Sequence, residues 1–243
     1  MTVTLTIIRY RKRFIPFALL AMALFRFPLA FNKRSRFWKL LGSGKSGSFD
    51  KTPDWQQWAV LSVSNLKFKT VQIIHYPQEV IIKKLYGSFI SKWLNLFGCQ
   101  TLTYFLEPIE GHGLWDGKKV FGELPHKTDY EGQVAVLTRA TIRLARLKSF
   151  WNHVDGVAAQ MATANGFVTS YGIGEMPLIK QATFSIWQSK ESMKAFAYQL
   201  KEHQEVIQKT RQEKWYSEDM FTRFKTIACT GKLNGNNPLK LKL

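Results

Sequence analysis

One of the five histidines stands where an imidazole needs a partner. On the long helix expected over Glu191–Phe224, Phe196, Leu200 and Ile207 fall at i, i+4 and i+11. His203, at i+7, shares their stripe. An imidazole facing inward among apolar side chains requires a carbonyl or hydroxyl, a metal ion or a haem iron. His153, on the expected helix Leu144–Ala164, sits at the edge of the stripe formed by Leu147, Phe150, Trp151, Val154, Ala158 and Met161. His75 precedes Tyr76-Pro77 and reads as a loop residue, while His112 and His126 fall in a Gly- and Pro-rich span. No pair of histidines has the helical spacing of metal ligands. Arg211, at i+8 from His203, is placed either to meet a ligand carboxylate or to snorkel to solvent.

Other chemistries lack their residues. Gly42-Ser43-Gly44-Lys45-Ser46-Gly47-Ser48 reads as a flexible connection whose N–H groups can meet an anion, but it lacks P-loop spacing. There is no H-E-x-x-H. Cys99 and Cys229 are too few for a disulfide framework or a Cys-rich zinc site, and they suit a reducing, cytoplasmic setting. No Ser/His/Asp or Cys/His order is legible.

The elements that must position these residues follow from periodicity. Alternation and β-branched content predict strands at Thr2–Ile8, Gln57–Val63, Gln100–Leu106, Gln133–Ile142 and Gln181–Trp187, with a weaker one at Lys225–Thr230. Helical stretches fall at Pro16–Ala30, Pro77–Phe97, Leu144–Ala164 and Glu191–Phe224. Each half therefore reads as a split βαβ unit, and the fold class as α+β: two fused ferredoxin-like halves forming a barrel of the dimeric α+β type. The halves are 1–109 and 133–230, joined by a linker at 110–132 and followed by a basic tail at 231–243. In each half a G-x-G turn (Gly42-Ser43-Gly44; Gly172-Ile173-Gly174) precedes Pro-x-x-x-Gln and a strand, which points to duplication.

Thirty-five Lys and Arg against 17 Asp and Glu give a net charge of +18, which predicts attraction to a polyanion or an anionic surface. Residues 1–50 hold ten of the basic side chains and one acid, Asp50. The apolar run Phe14–Phe31 looks like a signal anchor. Arg26 in its middle and Pro16 and Pro28 near its ends argue instead for a buried helix, with peripheral membrane contact open to it. No helix-turn-helix, RRM-like or zinc-finger pattern supports specific nucleic-acid binding.

Several strings resemble the spheroidene monooxygenase family, the acyclic carotenoid 2-ketolases. They are Phe37–Gly44 (FWKLLGSG), Ala135–Arg143 (AVLTRATIR), Gly172–Pro177 (GIGEMP), Gln181–Trp187 (QATFSIW) and Trp215–Phe224 (WYSEDMFTRF). The likeness runs from the first strand to the last helix, with the span Phe68–Leu96 departing from it. What the resemblance implies is a monooxygenase with haem b, using O2 and an electron donor such as a ferredoxin to oxidise a lipophilic, polyene-type substrate. It implies kinship with aldoxime dehydratases and barrel-type haem-degrading enzymes, in which the proximal histidine comes from the helix that His203 occupies here; His153 is the second choice for the iron. On the same footing Arg139 and Arg143 would pair with haem propionates. The basic N-terminal face would dock on anionic lipid at the inner face of the membrane. The alternatives are a haem enzyme of other chemistry, such as aldoxime dehydration or nitrogen-group oxidation, and a non-catalytic carrier of haem or a lipophile.

Overall fold

The computed structural model describes residues 1–45, 50–66, 68, 73, 75–199, 209–210 and 212–239, without the side chains of 153–159 and 198–199. Among the described residues the strands and the α-helices with settled bounds follow in the order β1 (Thr2–Arg9), α1 (Ile15–Leu24), α2 (Arg26–Ala30), β2 (Ser35–Gly44), β3 (Pro53–Ser64), α3 (Gln78–Tyr86), α4 (Ser88–Leu96), β4 (Gln100–Gly113), β5 (Val134–Ile142), α5 (Leu147–Thr163), β6 (Phe167–Met176), β7 (Lys180–Trp187), α6 (Lys190–Gln199) and β8 (Tyr216–Gly231). Each half is thus a β-α-β-β-α-β run, the ferredoxin-like plan that the sequence predicts. In hydrogen-bonded order the strands run β1-β3-β2-β6-β7-β5-β8-β4 and close on themselves.

Two strands were not expected from the sequence, β2 and β6. Each contains one of the G-x-G strings, so both strings lie in extended strands rather than turns. Glycine lowers strand propensity and hides the alternation there. The expected helix Glu191–Phe224 is also corrected. Helix α6 occupies Lys190–Gln199, and Tyr216–Phe224 belongs to β8. Along that stretch Met220, Thr222 and Phe224 are buried with a period of two, and Arg223 between them is buried on the opposite face.

The chain packs as two compact units. One comprises Met1–Gly42, Asp54–Glu107 and Thr226–Leu243; the other comprises Ser43–Pro53 and Pro108–Lys225. The span expected as a linker therefore counts with the second unit. In the first unit β1 lies antiparallel between β3 and β4, with Leu5 opposite Leu61 and Tyr104. The other face of this sheet, carrying Ile8, Trp58, Val60 and Phe105, packs on Ala18, Ala21, Phe25 and Leu29 of the α1–α2 stretch and on Ile81, Ile82, Leu85, Ile90 and Leu94 of α3 and α4. Tyr86 binds that face by its hydroxyl, 2.7 Å from Thr6 Oγ1. In the second unit β5 lies antiparallel between β7 and β8, and β7 continues to β6. Val134 and Val136 of β5 pack on Met193 and Phe196 of α6.

Candidate functional site

The second unit holds two charged clusters, one on each face of its sheet. Residues alternate along β5, so if Val134 and Val136 face α6, Arg139 faces away from it. Arg139 stands opposite Met220 of β8 and Ala182 of β7, which places Glu218 and Lys180, two residues along, on the same face. The guanidinium is 1% exposed and reaches three carboxylates: Glu218 directly, Asp116 at 3.4 Å and Glu175 at 3.4 Å. Lys180 adds an ion pair to Asp116 at 2.8 Å. Trp115 covers the guanidinium at 5.5 Å from its ring centroid, and its indole N–H donates to Glu175 Oε1 (2.8 Å).

A strained turn presents these groups. Gly113 has φ +86°, and a Cβ there would collide with the Asp219 carbonyl oxygen, so glycine is required where the chain leaves β4. Trp115 and Lys118 then exchange backbone hydrogen bonds of 2.9 and 3.2 Å, with Asp116 at φ 50°. The Asp116 and Gly117 N–H groups donate to the Glu218 carboxylate at 3.0 and 2.7 Å. Burial alone would raise the Glu218 carboxyl. Those two N–H donors and the hydrogen bond and charge of Arg139 hold it below the usual carboxylate range.

On the opposite face Glu110, 1% exposed, pairs with Lys190 at 2.9 Å and with Arg223. The Thr128 N–H donates to Glu110 Oε2 (3.0 Å), and Lys190 donates to the Thr128 carbonyl. Desolvation lowers the Arg223 pKa. The Nε of both Arg139 and Arg223 is buried and has no hydrogen-bond partner among the described residues. Charges are excluded from interiors unless paired, so these clusters are either clamps or functional groups. Chemically they are pre-oriented carboxylates and guanidiniums, three carboxylates against two cations in the first cluster and one against two in the second.

The residues nominated from sequence fare differently. Arg139 is committed to this chain's own carboxylates. Arg143 is exposed and gives its Nε–H to the Tyr216 carbonyl (3.1 Å). His203 and Arg211 lie outside the described residues, and His153 is placed on α5 with its side chain outside them. His75, His112 and His126 are exposed. His112 and His126 line a common pocket of about 180 Å³ with Phe121 and Met220, and His112 stacks on Phe221. That volume is below the ~300–1,000 Å³ of cofactor pockets. This pocket is thus too small for a porphyrin. Among the described residues no group of three or more His, Cys, Asp or Glu is arranged to hold a metal ion. Burial pushes the Cys99 thiol up to about 12 and raises Cys229 as well, which removes both as nucleophiles near neutral pH. Sequence reasoning missed Asp116, Glu175, Glu218, Glu110, Lys190 and Arg223. Their partners are remote in the chain, and no local spacing marks them.

Two β-α-β-β-α-β runs in a closed strand order define an α+β barrel of ferredoxin-like units. Among solved structures, an aldoxime dehydratase crystallised with butyraldoxime shares this fold, with a TM-score of 0.60 at 9% identity over 93% of this chain and 79% of that one. No profile of a known protein family matches the sequence. It is 29% identical over 244 residues to spheroidene monooxygenase of Cereibacter sphaeroides, covering 98% of this chain and 70% of the relative. To spheroidene monooxygenase of Rhodobacter capsulatus it is 29% identical over 233 residues, covering 94% of this chain and 91% of the relative. The likeness to the spheroidene monooxygenases thus runs along nearly the whole chain.

Proposed function

We propose that this protein is a monooxygenase that oxidises a lipophilic polyene of the acyclic carotenoid type. The observation that carries this reading is kinship with the spheroidene monooxygenases over 94–98% of the chain. In such a reaction one atom of O2 enters the substrate and the other leaves as water. That consumes two electrons and two protons, the electrons coming from a donor such as a ferredoxin. The proposed cofactor is haem b, which when bound supplies the redox chemistry that activates O2. His203 is the proposed iron ligand and His153 the second choice, and Arg143 is available to a propionate. Arg139 is better read as a positioning residue, because its carboxylate partners fix the 115–118 turn against the sheet.

The test is expression of the chain with haem supplementation, followed by absorption spectra oxidised, reduced and with carbon monoxide. The expected result is a Soret band at stoichiometric haem that shifts on reduction, is lost in His203→Ala and persists in His153→Ala. Co-expression with enzymes making acyclic carotenoids should then change the pigment. A protein that binds no haem and leaves the pigment unchanged would overturn the reading. The shared fold favours one second reading, an aldoxime dehydratase-like haem enzyme. A haem spectrum with aldoxime turnover and unchanged carotenoid would establish it, and haem bound without turnover of either would indicate a carrier.

A further inference from the structure

The α1–α2 stretch is apolar on every side, yet the structure covers one side of it. Ala18, Ala21, Phe25 and Leu29, at i, i+3, i+7 and i+11, are buried against the first unit's sheet. Of the apolar window within Lys12–Ala30, 22% is buried, which corrects the expectation of a buried helix. Leu19, Leu20, Phe27 and Phe31 are 48%, 46%, 66% and 81% exposed. On α4, Phe89 and Leu96 are 49% and 76% exposed. Phe89 lies edge-on to Phe25 with ring centroids 6.2 Å apart, so the exposed apolar side chains of α2 and α4 form one neighbourhood. Large exposed apolar patches mark surfaces that are covered in use.

The surrounding charge says by what. Arg11, Lys12 and Arg13 lead into α1, Arg26 stands between α1 and the rest of α2, and Lys33, Arg34 and Arg36 follow. A groove of about 690 Å³ runs between Pro28, Asn32 and Arg34 on one side and Val80, Lys83 and Lys84 on the other. Asn32 donates to the Leu85 carbonyl (2.8 Å) and Arg34 to the Lys84 carbonyl (3.3 Å), which fixes the two walls. The groove is lined by three cations and no carboxylate; Glu79, the acid of α3, is not among its residues. Among the described residues none of these three cations has a salt-bridge partner. Apolar side chains ringed by cations complement an anionic lipid surface: acyl chains below, phosphates around.

We infer that α1, α2 and α4 dock the protein in the plane of an anionic membrane, with Phe27, Phe31 and Leu96 entering the acyl region and Arg34, Lys83 and Lys84 meeting lipid phosphates. The stretch does not span. By length and composition Lys12–Ala30 is long enough to cross a membrane, but its buried stripe of Ala18, Ala21, Phe25 and Leu29 ties it to the sheet. This inference stands apart from the haem reading, since docking requires neither cofactor nor turnover.

The test is sedimentation of the full chain with vesicles of phosphatidylcholine alone and of equimolar phosphatidylcholine and phosphatidylglycerol. Binding is expected to the anionic vesicles only, and to be reversed by high salt. Each cation at such a surface contributes roughly fivefold in partitioning, so Arg34→Ser/Lys83→Ser/Lys84→Ser should weaken binding about a hundredfold. Phe27→Ser/Phe31→Ser should weaken it at least tenfold and leave the circular dichroism spectrum unchanged. Equal binding to neutral vesicles, no binding, or unaffected variants would overturn the inference. Attachment that survives alkaline carbonate would assign a membrane span instead. Self-association abolished by Phe27→Ser/Phe31→Ser, without vesicle binding, would assign the face to a second copy.

Discussion

The helix-bearing faces of the two units invert the usual distribution of side chains. In the first unit, phenylalanines and leucines of α1, α2 and α4 stand in solvent. In the second, a glutamate, a lysine and an arginine (Glu110, Lys190 and Arg223) are buried. Both arrangements cost free energy in an isolated protein, but of different kinds. An exposed Phe forgoes a gain, because its unfolded state is equally wet. A buried Glu110 depends on Lys190 and Arg223, and its stability collapses if either is withdrawn. Mutations in the two regions should therefore separate stability from surface behaviour.

The largest effect is expected in the second unit. Glu110→Ala leaves two buried cations unpaired and should lower unfolding stability by about 3–5 kcal/mol, read from urea denaturation. Equal destabilisation by Phe31→Ser would erase the contrast. Arg139→Met should cost about 3 kcal/mol by the same measurement, somewhat less because Glu218 and Asp116 keep partial access to water.

The Arg139 cluster also predicts a pH dependence. The Glu218 carboxyl is held lower in the folded than in the unfolded state. Its contribution is complete above about pH 4.3, the ordinary glutamate value, and is lost as pH falls through the folded value. Arg139→Met should flatten that acid limb, which a denaturation series below pH 5 would show. Tyr86→Phe, which removes the hydrogen bond to Thr6, should cost about 1 kcal/mol. The smallest effect belongs to Phe31→Ser, within about 0.5 kcal/mol of wild type.

What was legible in the sequence was what is local. β1, β4, β5 and β7 announce themselves by alternation, and the duplicated G-x-G and Pro-x-x-x-Gln strings do mark equivalent strand pairs, β2–β3 and β6–β7. Tyr216–Phe224 was misread because Trp215, Tyr216, Met220, Phe221 and Phe224 satisfy a helical period as well as a strand's. The charged clusters were illegible for a different reason. Arg139 meets partners 23, 36 and 79 residues away, and only the register of β5 against β7 and β8 joins them. The exposure of α1 was hidden too, since an apolar helix reads alike whether protein or something else covers it.

The division of the chain between its units has a consequence for synthesis. The second unit is complete once Lys225 has been made, whereas the first still lacks Thr226–Leu243. That segment carries the end of β8, and its Lys232 N–H donates to the Thr101 carbonyl of β4 (3.0 Å). The portion of the protein begun earliest on the ribosome is therefore finished last. Through most of elongation the nascent chain carries its uncovered apolar helices on a sheet still missing its closing strand.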